Sequence, residues 1–143
     1  MPAGRNQVDY TDIGFKAITA KIDAVTITYD ATKVNGSAAI GLAVMLSADD
    51  TIALTSDGAA VYGKLIRVSA DNFATVQNDG FATLPGGLAA VLTRGKRYVG
   101  ATGVAAARGY IRDVNTAVVA ELGVAIGSIV NTADTTNVVV DLG

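Results

Sequence analysis

Two stretches of the chain are near-copies of one another. VMLSADDTIALTSDG runs from Val44 to Gly58 and IRVSADNFATVQNDG from Ile66 to Gly80, an offset of 22 positions (66 − 44). In each, alternating apolar residues lead into Ser-Ala-Asp, a second alternating run follows, and the copy closes on Asp-Gly. A period of two is the pattern of a half-buried strand. Asp and Asn open turns by bonding to nearby backbone, and Gly accepts the left-handed conformation. Each copy therefore predicts a β-hairpin. Two hairpins in series, joined by AVYGKLI around Val61 and Leu65, predict a β-meander. Two copies fall short of the three that a solenoid needs.

The flanking segments extend the all-β reading. Between Phe15 and Tyr29, Val25, Ile27 and Tyr29 alternate with Thr26 and Thr28 and predict a strand. Asn35-Gly36 marks a tight turn, as do Leu84–Gly87 and Arg94-Gly95-Lys96, the last followed by a short strand with Tyr98 and Val99. The stretch around 115–127 fits one short helix with Val118, Val119, Leu122 and Ile126 on a face and Asn115 or Thr116 as its cap, although its glycines and β-branched residues oppose one. TNVVVDLG, Thr136 to Gly143, reads as a closing strand. Turn signals at short, regular spacing predict a small β-barrel or sandwich built from hairpins. Residues 1–14, polar and without an apolar period, read as an extended N-terminal arm, and residues 15–143 as a single β-barrel-like domain.

Composition narrows the function classes. A chain of 143 residues builds one ordinary core, and 50% hydrophobic with 17% charged residues does not describe a disordered chain. A net charge of −2 lacks the basic excess that grips phosphates, so nucleic acid is not an expected partner. There is no Cys and no His, and Glu121 is the only Glu. Histidine-based triads, thiolate sites and histidine-bearing zinc sites are thereby excluded, and an enzyme is not expected. The apolar run Ala117 to Val130 is broken by Glu121, Gly123, Gly127 and Ser128 and is shorter than the ~20 residues of a membrane span, so no membrane partner is expected.

Candidate sites are few. Asp49, Asp50 and Asp57 could suggest calcium, but no EF-hand pattern accompanies them and turn formation explains them. Arg94, Lys96, Arg97, Arg108 and Arg112 form a basic run, with no acid between Arg94 and Asp113. Such a run suits either an acidic partner surface or a solvated loop face. Asn35-Gly36-Ser37 fits a glycosylation sequon, and the glycines match no phosphate-binding pattern, so no cofactor is expected.

From Gly41 onward the chain resembles the phage capsid cement, or head decoration, proteins. The likeness is carried by GLAVMLSADDTIALTSDG, VYGKLIRVSADNFATVQNDGFATLPGG, LTRGKRYVGATG and GYIRDVNTAVVAELGVAIGSIVNTADTTNVVVDLG, in that order. The resemblance implies a small β-barrel on the outer surface of the virion capsid, typically a homotrimer that braces neighbouring major capsid protein subunits. Linked modest contacts give such a protein its grip, and a polar arm can add to a neighbour's sheet. MPAGRNQVDYTDIGF is the candidate arm. The residues expected at the capsid or subunit interface are Arg5, Gln7, Val8, Tyr10, Ile13 and Phe15 from the arm, with Arg94, Lys96 and Arg97 from the basic turn. Ala117 to Val130 is a second candidate surface, for a symmetry mate. The competing expectation is a β-barrel module that binds a small ligand or carbohydrate.

Overall fold

A computed structural model describes residues 15–143, apart from 89, 126 and 133–136. The arm residues Arg5, Gln7, Val8, Tyr10 and Ile13 lie outside the described residues. In chain order the strands are β1 (Lys16–Ile22), β2 (Ala43–Ala48), β3 (Thr51–Leu54), β4 (Gly63–Val68), β5 (Phe73–Asp79), β6 (Phe81–Pro85), β7 (Tyr98–Ala101), β8 (Tyr110–Asp113), β9 (Ser128–Asn131) and β10 (Asn137–Asp141). One short helix, α1 (Val119–Val124), precedes β9. Strands β1 to β5 close into a barrel of order β1-β3-β2-β4-β5. Beside it stand a three-stranded sheet, β6-β10-β9, and the β7-β8 hairpin.

The repeat is the two hairpins of the barrel, β2-β3 and β4-β5. Its turn chemistry recurs at matching positions. Asp50 and Asn72, 22 apart, both hold positive φ (53° and 62°), and so do Gly58 and Gly80 (73° and 80°). Asp and Asn are the side chains that tolerate this conformation best after Gly. The buried polar position of each copy also matches. Thr55 donates its hydroxyl to the Tyr110 carbonyl, and Gln77 donates its amide to the carbonyls of Asp79 and Phe81.

The meander is corrected. β4 pairs with β2, not β3, through Ala43↔Lys64 and Val44↔Gly63. Residues 55–62 carry the chain out of the barrel, where Gly58 and Ala59 bond to Gly100 of β7, before Tyr62 returns beside Val44. The two hairpins are thus related by an approximate two-fold exchange of β2 with β4 and β3 with β5. β1 closes the ring, antiparallel to β5 and parallel to β3 at Lys21↔Thr51 and Ile22↔Ile52. A ring of five strands cannot alternate direction throughout, so one parallel pair is unavoidable.

The first strand also lies earlier than the alternation predicts. It ends at Ile22 because Asp23 turns the chain. Its carboxylate accepts the amides of Val25, Thr26 and Ile27 and the Thr26 hydroxyl, and Ala24 adopts φ 58°. This side-chain alternative to a ladder is typical of Asp. Ile27 alone of the predicted alternating set is fully buried, whereas Val25 is 85% exposed.

Strand β2 joins two cores by its pleat. Val44 faces the barrel cluster with Ile22, Ile52, Leu65 and Val76. Its neighbour Ala43 faces the second cluster, with Val61, Leu84, Tyr98, Ile111 and Val140. A third, smaller cluster of Val99, Val114 and Ala125, with Leu122 against it, seats α1. The helix occupies 119–124, within the predicted stretch, but its buried residue is Glu121, while Val119 is 82% exposed. Asn115 accepts the Ala117 amide in the approach to the helix and does not cap it.

Candidate interaction surface

The six residues of α1 are too few for a helix to persist in water unaided, and an ion pair fixes it in place. Arg112 on β8 meets Asp57, from the Asp-Gly close of the first repeat, and Glu121 on α1. Nε lies 2.9 Å from Asp57 Oδ1 and Nη2 lies 2.6 Å from Glu121 Oε1. Nη1 donates to Glu121 Oε2 (3.0 Å) and to the Asp113 carbonyl (3.1 Å), and Nη2 also reaches Asp57 Oδ2 (3.3 Å). All five guanidinium donors are used. Glu121 accepts the Asn115 amide as well. Arg112 and then the Asn115 amide hold the Glu121 carboxyl below the usual glutamate range, against the opposing effect of burial. The same contacts, with Glu121 foremost, raise the Arg112 guanidinium further. Gly58 lies against this group, since a Cβ there would come within 3.1 Å of Glu121 Oε1.

This arrangement ties three elements together and leaves its charges mutually satisfied, which suits positioning rather than proton transfer. It also removes Arg112 from the basic run. Neither the spacing of Asp57 and Arg112, 55 positions apart (112 − 57), nor any motif signals the pairing. The one hint is a lone Glu inside an apolar stretch, where an ionised side chain is costly without a partner.

The rest of the basic run divides. Arg94, Lys96 and Arg97 are exposed around the turn at Gly95 (φ 85°), although Arg97 also donates to the Ala125 carbonyl at 3.3 Å. Phe15 is 45% exposed at the start of the described chain. An open cleft of about 410 Å³ lies beside the turn, lined by Asp57, Arg112, Asp113 and Lys96, with Leu88 and Val91 on its apolar side. Around the β7-β8 hairpin and α1 the exposed apolar side chains are Leu88, Val91 and Val104 on the loops and Val118, Val119 and Val124 on and beside the helix, while Phe15, Val25, Tyr29, Val34, Leu46 and Phe73 are exposed on the barrel side.

Asp49 and Asp50 form the tip of the β2-β3 turn, where the Thr51 hydroxyl bonds the Asp49 carbonyl. Among the described residues, no group of three acidic, His or Cys side chains could hold a metal ion, and no helix is long and apolar enough to cross a membrane.

No family model, curated protein or solved structure matches this chain.

Proposed function

We propose that the protein is a structural virion protein that binds the outer surface of a phage head and braces neighbouring major capsid subunits, as a homotrimer. The reading rests on the resemblance of the segment from Gly41 onward to head decoration proteins. The observation that supports it is the exposed apolar and basic surface around α1 and the β7-β8 hairpin. Exposed valines on α1 stand on a helix fixed by the Arg112 ion pair, and the exposed turn Arg94–Arg97 is tied to its C-terminal end by the Arg97 bond to the Ala125 carbonyl. A contact surface of this kind requires rigid placement more than chemistry, because its affinity comes from preorganised area repeated over several subunits. The barrel interior is packed with Val44, Ile52, Leu65 and Val76.

Co-sedimentation with phage heads that lack the protein tests the proposal. Saturable binding to such heads is expected, weakened when residues 1–14 are deleted or when Val119→Glu places a charge on α1. Failure of the full chain to bind the heads would overturn it.

A further inference from the structure

The first strand has an edge that the barrel leaves open. Along a strand, the backbone N–H and C=O groups of successive residues face alternate sides. The Ile22 amide bonds the Asn72 carbonyl, on the β5 side, and the Lys21 amide bonds the Asp50 carbonyl, on the β3 side. Ala17 and Thr19 share the parity of Lys21, so their backbone groups face the β3 side as well. The ladder to β3, however, covers only Lys21 and Ile22. Ala17 and Thr19 are both exposed, and their groups on that edge have no partner among the described residues. Such an edge is a template for another strand.

The surroundings of the edge select the strand. Beside it lies a cavity of about 440 Å³, with Ile18, Ala20, Leu46 and Tyr62 as its apolar surface and Asp49 and Asp50 as its polar rim. Leu46 is 54% exposed there. An apolar slot with two carboxylates on its rim suits a lysine side chain, whose stem lies along the apolar wall while its charged head stays with the acids.

We propose that a second copy of this chain fills the place, its β1 pairing antiparallel with β1 about a two-fold axis at Ala17. Both open edges are then satisfied at once. The register sets Ala17 opposite Ala17 of the second copy, Lys16 opposite Ile18 and Thr19 opposite Phe15. Ile18, Ala20 and Ile22 face the barrel cluster, so the period of two puts Lys16 on the same side of the strand. Lys16 of the second copy thus enters the slot beside Ile18, with its ammonium toward Asp49 and Asp50. Lys16 is exposed and forms no ion pair among the described residues. Lysine on an edge ordinarily repels another strand, but here each copy supplies the acids that receive it. On the outer face, Phe15, which is 45% exposed, meets Thr19 of the second copy. The contact is separate from the three-fold one proposed above, and no phage head is needed to test it.

The absence of native cysteine makes cross-linking a clean test. A hydrogen-bonded antiparallel pair holds its Cα atoms about 5.5 Å apart, within disulfide range. Ala17→Cys in the full chain is therefore expected to form disulfide dimers about tenfold faster than Arg67→Cys, the gain that effective concentration gives. Arg67 is the control because it is exposed on β4, between β2 and β5. Adding Lys16→Glu to Ala17→Cys should remove the gain, and adding Asp49→Lys to both should restore it. Equal rates at the two cysteine positions, or a gain indifferent to these charges, would overturn the proposal. In the unmodified chain, the amides of Ala17 and Thr19 should exchange with solvent more slowly as protein concentration rises. Exchange independent of concentration would overturn it too.

Discussion

Arg112 and Glu121 are joined at two points, Nη2 to Oε1 at 2.6 Å and Nη1 to Oε2 at 3.0 Å, and this pair fastens the helix to the β7-β8 hairpin. The Glu121 side chain is 11% exposed and that of Arg112 22%, whereas Asp57, the other partner, is 60% exposed. The two acids should therefore differ in weight.

Glu121→Gln leaves a largely covered guanidinium short of its best acceptor and is expected to cost about 2 kcal/mol. Asp57→Asn removes a solvent-screened partner and is expected to cost less than about 1 kcal/mol. Calorimetric unfolding of the two variants would measure this, and equal losses would contradict the assignment.

Acid should loosen the same contact. Glu121 titrates lower in the folded chain than its ordinary value of 4.5, so the folded state binds this proton less readily than the unfolded one. The resulting stability is complete above pH 4.5 and is lost as the pH falls below it toward the lowered folded value. Urea midpoints measured from about pH 5 to 3 should fall, and more shallowly in Glu121→Gln. Parallel curves would remove Glu121 from the acid response.

An alkaline edge should come from Tyr98. Its ring is fully buried and its hydroxyl donates to the Asp141 carbonyl at 3.1 Å. Burial foremost, and then the charge of Asp141, push its pKa well above the ordinary 10. The stability from the neutral phenol is present below pH 10 and is lost as the pH rises through the raised folded value. Tyr98→Phe should lose about 1 kcal/mol at neutral pH and show a weaker alkaline decline. An unchanged alkaline profile would point to another group.

The matched turns should respond alike. Asp50→Gly and Asn72→Gly are compatible with the positive φ at both sites and should change stability by less than about 1 kcal/mol. Asp50→Val and Asn72→Val force a β-branched residue into that conformation and should each cost about 1 to 3 kcal/mol. If valine were harmless at one site only, the two hairpins would not share a turn.

The parts of the fold that were legible in the sequence are those set by neighbours in the chain. The repeat predicts both hairpins because Asp50 and Asn72 act within a few residues, and Tyr98-Val99 and the closing strand follow from local alternation. Pairing between hairpins was not legible, because nothing local tells β4 to choose β2 over β3. That choice depends on the excursion of Gly58 and Ala59 to Gly100, a contact between distant segments. Val25 and Tyr29 mimic a strand because alternation alone does not reveal that Asp23 captures three amides. The surface candidates Arg94, Lys96 and Arg97 were legible as an exposed basic turn, but Arg112 looked equivalent to them until Asp57 and Glu121 were brought beside it.

The closing role of β1 fixes an order of assembly. Lys16 pairs with Asp79, 63 positions later (79 − 16), and the parallel contact at Lys21 needs Thr51. The earliest described strand therefore meets its short parallel partner only when the first hairpin has emerged and its long antiparallel partner only when the second has, so ring closure carries the largest loop-closure entropy of the barrel pairings. The paired hairpins can form first as a curved template, onto which the waiting strand is zipped last.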